Sequence, residues 1–428
     1  MAEPLQHLGA MTSPTIWYIH PYAGGPGVGR YNRPYELSRA WQGRGATPVV
    51  ITPAFHHLMD SPGALRGACS IGDVPYEFLP TPAYQGNHIG RVLNMAAFAT
   101  ALPFHAGRLV RRYGRPSMIV ASSPHPYAFL TSHRMARHFG ARSIFEVRDL
   151  WPLSLTELAG VPSSHPLVRI TGWLERYAYT HADAVVSLLP KSLPHMIDRG
   201  LDPARWHYIP NGVDTHAPRI SNASNDIFNQ IHHWRAEGKL VVVYAGALGT
   251  PNNVRSLIDS IALLRDHGDH RVAAIVVGRG ELSAEIAETV AEKSLSDRIA
   301  IFDQIPKKAI PGLLDAAQVG YISLRPEPLF RFGVSPNKLF DYMLARLPIL
   351  FAISAGNDPV AECRAGLSVS PDNIPAIANA LATFAAMSET ERAAMGSRGH
   401  DYVMKNHGYE ELALRYLEIL NISPGLVR

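Results

Sequence analysis

Short apolar runs recur along the chain, separated by stretches where apolar and polar residues mix with helical spacing. Thr15-Ile16-Trp17-Tyr18-Ile19-His20 opens a first block of predicted strands, followed by Pro48–Thr52, Ser117–Ala121, Arg142–Val147, Ala184–Leu188 and His207–Ile209. Helices such as Pro126–Phe139 and Leu167–Ala182 fall between them. A second block starts at Lys239–Ala245, an apolar strand, and continues with Val272–Val277, Ile299–Phe302, Val319–Ser323, Pro348–Ala352 and Leu367–Val369. Short apolar strands alternating with amphipathic helices predict parallel sheets covered on both faces. Residues 54–95 read as one long irregular stretch, and Ser221–Asp226 reads as a loop between the blocks. The pattern thus predicts two doubly wound Rossmann-like α/β domains, residues 1–213 and 214–428. Ligands of such sheets bind at the carboxyl ends of the strands, so a shared cleft is expected.

Composition narrows the class. The 428 residues exceed one ordinary core, and 46% apolar with 18% charged residues suits a globular protein. The two cysteines, Cys69 and Cys363, have no metal-type spacing, and a reducing compartment fits them. Residues 1–13 lack the apolar core of a signal peptide, and no uncharged apolar run would span a bilayer. A cytoplasmic location is expected, with peripheral contact to the inner face of the membrane as an option.

The net charge of +4 is unevenly spread. Residues 1–213 hold 19 Lys+Arg against 12 Asp+Glu, and Lys191 is the only lysine among them. An arginine-rich half suits a phospholipid surface or a pyrophosphate-linked substrate. Nucleic acid is disfavoured, since no zinc finger, RNA-binding aromatic motif or long basic run occurs. Asn94–Arg112 combines Phe98, Leu102 and Phe104 with Arg108, Arg111 and Arg112, which fits either an interfacial helix or an ordinary core-facing one.

Four segments carry candidate chemistry. Gly24-Gly25-Pro26-Gly27 follows the first strand, so Gly24 and Gly25 can bring backbone close to a substrate or form a tight turn. Arg148 and Asp149 end the strand before Trp151-Pro152. Asp149 can orient or deprotonate an acceptor hydroxyl, or the two can be a structural pair. Gly246–Gly249 and Gly278–Gly280, with Arg279 and Glu281, repeat a strand–glycine–helix pattern suited to a nucleotide diphosphate. In Arg331–Met343, Lys338 sits near a helix start, where the dipole disfavours it unless an anion binds. Asp341, three residues on, suits ribose hydroxyls, or else simply pairs with Lys338. Phe332, Gly333 and Asn337 belong to the same candidate site. No metal site is expected, and no Asp-x-Asp occurs.

Together these pieces resemble glycosyltransferase family 4 with the GT-B fold, especially bacterial surface-polysaccharide transferases similar to N-acetylfucosamine transferases. Gly24-Gly25, the Glu146–Pro152 run, Ile209-Pro210-Asn211-Gly212-Val213-Asp214, Tyr244-Ala245-Gly246, Val277–Gly280 and Ser335–Met343 occur in the family's order. The resemblance implies a first, acceptor-binding domain onto which helix 409–420 packs back, and a second, donor-binding domain. It implies a retaining transferase without a required cofactor, moving a sugar of the N-acetylated amino or deoxyamino kind from a UDP-linked donor. The implied acceptor is a polyprenyl-pyrophosphate-linked sugar or an oligosaccharide of O-antigen, capsule or exopolysaccharide. Many members carry an arginine and a lysine where this chain has Ala247 and Asn252, and two glutamates where it has Gly333 and Asp341. Lys338, Arg331 and the amides of Phe332 and Gly333 are the expected replacements. The rival readings are a nucleotide-sugar epimerase of the same architecture and an inactive assembly scaffold.

Overall fold

The computed structural model describes residues 13–86, 89–216 and 225–421. Residues 1–12 of the amino-terminal tail and 221–224 of the expected loop lie outside the described residues, while Asn225 and Asp226 begin a helix. The chain forms two compact units, one running to Ile209 and resuming at Tyr409, the other Pro210–Gly408.

Among the described residues, the first unit holds an eight-stranded sheet made of β1 (Thr15–Ile19), β2 (Thr47–Pro53), β3 (Gly67–Ile71), β4 (Val74–Leu79), β5 (Met118–Ser122), β6 (Arg142–Val147), β7 (Ala184–Ser187) and β8 (Trp206–Tyr208). The order is β3-β4-β2-β1-β5-β6-β7-β8, and every pairing is parallel except β3 with β4. Its helices are α1 (Arg33–Gly43), α2 (Ile89–Tyr113), α3 (Tyr127–Phe139), α4 (Pro166–His181) and α5 (Leu193–Asp198). The second unit opens with α6 (Asn225–Ala236). Its sheet, in the order β11-β10-β9-β12-β13-β14, comprises β9 (Leu240–Ala245), β10 (Val272–Val277), β11 (Ile299–Phe302), β12 (Val319–Ser323), β13 (Ile349–Ala352) and β14 (Gly366–Val369). Around it lie α7 (Arg255–Asp266), α8 (Ser283–Glu292), α9 (Ile310–Ala316), α10 (Asn337–Leu344), α11 (Pro359–Cys363), α12 (Ile374–Ala386) and α13 (Glu389–Asn406). The last helix, α14 (Tyr409–Asn421), belongs to the first unit.

Period-two alternation within apolar strands covers both faces of each sheet. In β1, Ile16 and Tyr18 pack with Leu37 and Trp41 of α1 and with Leu412 and Tyr416 of α14. Trp17 and Ile19 turn to Phe98 and Leu102 of α2 and Met135 of α3. In β9, Val241 and Val243 meet α6 and α10, while Val242 and Tyr244 meet α7 and α12. Each such fully buried side chain contributes about 1.5–3 kcal/mol.

The described residues of the 54–95 stretch are more ordered than their sequence pattern suggests. They contain the hairpin β3–β4, with Ile71 opposite Val74 across the two-residue turn Gly72-Asp73, and α2 begins at Ile89. Gly72 has φ +56°, which explains the glycine there. No helix of the described residues is long and apolar enough to cross a membrane.

A buried charge network holds α14 in place. Glu146 at the end of β6 accepts from Arg33 Nε and Nη2, both at 3.1 Å, from Tyr18 Oη at 2.8 Å and from Ser122 Oγ at 2.6 Å. Tyr416 of α14 donates to the same carboxylate. Trp41 Nε1 adds a bond to the Ala413 carbonyl at 3.2 Å.

Candidate active site

In the second unit, the neighbouring strands β9 and β10 both run into glycine turns at their carboxyl ends. The turns are in direct contact. A Cβ on Gly278 would fall 1.8 Å from the Gly246 carbonyl oxygen, and one on Gly280 2.2 Å from that of Leu248. The amides of Gly246 and Leu248 donate to the Val277 and Arg279 carbonyls at 3.0 and 3.2 Å. Gly246 therefore offers a ligand its bare backbone surface and not its N–H. The amides of Ala247 and Gly249 take part in none of these bonds.

Lys338 reaches this constellation from the first turn of α10, where Pro336 stands at the cap and Asn337, exposed, begins the helix. Lys338 Nζ donates to Asn252 Oδ1 at 2.8 Å and to Tyr244 Oη at 3.0 Å, and stands 4.5 Å from the Tyr244 ring centre. A Cβ on Gly246 would come within 3.0 Å of Nζ, so glycine leaves room for the ammonium. Tyr244 Oη in turn donates to the Ala247 carbonyl at 2.7 Å. The Lys338–Asp341 pair that the three-residue spacing allows does not form, because the lysine turns to β9 and its following loop. No carboxylate among the described residues pairs with Lys338. Burial lowers its pKa to about 8. Asp341 is partly buried too, and burial raises its carboxyl to about 6 against the pull of Lys307. Upstream, Asn211 donates from its N–H to Ser335 Oγ at 3.0 Å and from Nδ2 to the Ser335 carbonyl at 2.8 Å, so the Ile209–Asp214 motif positions the start of Ser335–Met343.

On the expectation that the resemblance sets for this segment, UDP binding followed by calorimetry should depend on pH through these two groups. Lys338 loses its charge as pH rises through about 8, and Asp341 loses its own as pH falls through about 6. Affinity should be greatest between those limits. Lys338→Met should flatten the alkaline limb; a limb unchanged in that variant would show that another group titrates.

Other sequence candidates have local partners. Arg279 forms a bidentate pair with Asp303 in full solvent, with Nε to Oδ1 at 3.0 Å, so it is not an uncompensated cation. Glu281 Oε1 accepts from the Thr250 N–H at 3.0 Å and hydroxyl at 2.8 Å, which braces the turn carrying Asn252. The Gly333 amide, expected to face pyrophosphate, is taken by the Phe330 carbonyl at 2.9 Å because a 3-10 turn over Pro328–Phe332 closes there. Arg331 donates to the Pro328 carbonyl at 2.7 Å and lies 4.3 Å from the centre of the Phe332 ring. Asn252, which stands where the resemblance implies a lysine, supplies the oxygen that holds Lys338.

In the first unit the glycine loop is a closed turn. Gly24 N–H donates to the Tyr31 carbonyl at 2.8 Å, and Gly25 N–H to that of Gly29 at 3.4 Å. A Cβ on Gly24 would fall 2.5 Å from the Gly29 oxygen, so the glycine permits chain-on-chain approach, and neither amide is left for a substrate. Arg148 lies 3.6 Å from the centre of the Tyr31 ring, and its Nε is buried without a hydrogen-bond partner. Arg148 and Asp149 do not form the structural ion pair considered from sequence, since the guanidinium stacks on Tyr31 instead. Asp149 is open to solvent at its surface yet surrounded by enough protein that desolvation raises its pKa, with Arg148 opposing.

Sequence reading passed over the histidines and aromatics at these strand ends. His20 follows β1 and stacks on Tyr31 at 4.8 Å. His125 follows β5, is 1% exposed, has no partner at either ring nitrogen, and touches Tyr22, Tyr127 and Trp151 edge-on. Desolvation lowers its pKa to about 3, so the ring is neutral at physiological pH. The signal was positional: His20 directly follows the parallel strand β1, and His125 stands three residues past the end of β5. Among the described residues no cluster of three His, Cys, Asp or Glu could hold a metal.

A family model described as "Glycosyl transferase 4-like domain" matches residues 27–212, and one described as "Glycosyl transferases group 1" matches residues 239–386. The 2-deoxystreptamine glucosyltransferase of Streptomyces kanamyceticus is 24% identical over 80% of this chain and 86% of its own length. The sucrose-phosphate synthase of Thermosynechococcus elongatus superposes with a TM-score of 0.68 at 18% identity, covering 95% of this chain and 98% of that one. Anabaena HepE in complex with UDP and glucose gives 0.62 at 16% identity, covering 95% and 99%. The chain belongs to the family 4 and group 1 type of glycosyltransferases, built on the two-domain GT-B fold. It is an enzyme that transfers a sugar from a nucleotide-sugar donor.

Proposed function

We propose that the Pro210–Gly408 unit binds a UDP-linked sugar and that the first unit binds the acceptor. One observation carries the donor assignment: Lys338 is a partly buried cation without a carboxylate partner, held against the bare backbone of Gly246. A desolvated ammonium beside glycine turns favours an anion. Lys338, with Arg331 and the Ala247 and Gly249 amides, stabilises the departing diphosphate. Asp341 accepts from the ribose hydroxyls. Substitution proceeds with retention: the acceptor oxygen bonds to the anomeric carbon on the face from which the diphosphate leaves. The anomeric carbon–oxygen bond to phosphate breaks, and the acceptor proton passes to the leaving phosphate oxygen.

Asp149 orients the acceptor. The acceptor is a polyprenyl-pyrophosphate-linked sugar of surface polysaccharide synthesis, supported by the arginine-rich first unit, and the transferred sugar is an N-acetylated amino or deoxyamino sugar. Peripheral contact with the membrane follows from such an acceptor. Asp149→Asn should lower turnover while calorimetric UDP affinity stays within about twofold of the parent, a change below about 0.4 kcal/mol. Loss of UDP binding in that variant would move Asp149 to the donor side and sink the assignment.

A further inference from the structure

The crossovers β4→β5, β5→β6 and β6→β7 run in one direction across the first sheet, so α2, α3 and α4 share one of its faces. α3 packs against both neighbours. The three helices carry eight arginines and a single acid, Glu175. Glu175 is buried and held by His195 at 2.9 Å and Arg199 at 3.0 Å, so it contributes no exposed negative charge. Arg111, Arg134 and Arg137 are exposed, and none pairs with a carboxylate among the described residues. The same layer exposes large apolar side chains: Phe104 is 86% exposed and Trp173 57%.

Between α2 and α3 runs a groove of roughly 670 Å³. Pro103, Ala106 and Val110 face Met135 and Phe139 along it, and Arg134 lies at its edge. An apolar slot beside unpaired guanidiniums, flanked by an exposed phenylalanine, matches an amphiphile with an anionic head. A protein partner would have to supply acidic groups to three helices at once, whereas a charged lipid surface supplies them everywhere.

We propose that the α2–α3–α4 layer docks on an anionic phospholipid bilayer. Headgroup phosphates lie on its arginines, Phe104 enters the interface and an acyl chain occupies the groove. The proposal gives the lipid-linked acceptor reading a surface to act on, and rests on that reading only for its purpose.

Flotation of the full chain with vesicles tests it. Vesicles with about a third phosphatidylglycerol should carry the protein up, and pure phosphatidylcholine vesicles should not. Binding should fall as ionic strength rises. Each arginine near a charged surface is worth roughly fivefold in partitioning, so Arg111→Gln/Arg134→Gln/Arg137→Gln should lose well over tenfold. Phe104→Ser should weaken binding to the same vesicles at every salt concentration. Both variants should keep the parent's melting temperature and far-UV circular dichroism, which shows that the first unit is folded. Inorganic phosphate at matched ionic strength should not compete; competition would mean a free-anion site instead. No flotation with anionic vesicles, undiminished flotation of both variants, or self-association through the Phe104 face would overturn the proposal. Transfer to a soluble lipid-linked acceptor analogue is a separate measurement. Failure of transfer with flotation intact would remove the acceptor reading and leave the docking surface.

Discussion

Lys338→Ala is expected to lower turnover at least tenfold, a loss of about 1.4 kcal/mol or more of transition-state stabilisation. Its ammonium stands at the one place in the second unit where the Gly246 turn, the Asn252 amide oxygen and the start of α10 meet. Negative charge grows on the leaving diphosphate as the sugar departs, so a fixed cation there acts more strongly on the transition state than on bound donor. The loss should therefore appear in kcat as well as in the donor's KM. Lys338→Arg should not restore it, because Gly246 already leaves only van der Waals room beside the ammonium and a planar guanidinium is larger. Steady-state kinetics with the true donor decides the point, and unchanged kinetics in Lys338→Ala would remove the residue from the site.

The second large effect concerns stability. Removing one member of a buried ion pair costs about 3–5 kcal/mol, against a total of about 5–15 kcal/mol for a folded domain. Glu146→Ala would leave the Arg33 charge buried without its carboxylate and would take from Tyr18, Ser122 and Tyr416 the carboxylate that accepts from them. The variant should be strongly destabilised in urea, and α14 should become accessible to protease. Arg33→Met/Glu146→Leu should recover much of the loss, because no lone charge remains. Burial by itself would raise the Glu146 pKa, but Arg33 and the three hydroxyl donors outweigh it and hold it low. Its folded pKa thus lies below its unfolded value of about 4.3. Its contribution is complete above the unfolded value and is lost as pH falls through the folded one. Denaturation curves should accordingly be flat in this contribution at neutral pH and weaken only in acid. Equal stability of Glu146→Ala and the parent would contradict the network's role.

Much of the fold could be read from sequence because buried parallel strands are nearly continuous apolar runs. Lys239–Ala245 and Val272–Val277 are such runs, and they became β9 and β10. The β3–β4 hairpin was missed because β3 is a partly exposed edge strand with a weak pattern. Its best signal was Gly72-Asp73 between Ile71 and Val74, a two-residue turn of the kind that joins hairpins. At the candidate site, the glycine turns and Lys338 were visible as local motifs. Their partners were not. Asn252 and Lys338 meet across 86 positions of sequence, and no spacing rule reports such a contact. The same applies to Glu281, whose carboxylate braces Thr250, and to Arg279, whose partner Asp303 follows the next strand. His125 was overlooked because a lone histidine after a strand looks like any other; only its burial without a partner at either nitrogen marks it.

Thermal unfolding in the presence of UDP-, GDP- and dTDP-sugars, run side by side on the parent and Lys338→Met, tests the donor site most directly. A ligand at about 100 times its dissociation constant stabilises the native state by about 2.7 kcal/mol, a shift easily read. The account predicts that a UDP-sugar raises the parent's melting temperature and that the shift collapses in Lys338→Met, whose unliganded melting temperature stays near or above the parent's. No shift with any nucleotide sugar, or the same shift in both proteins, would contradict it.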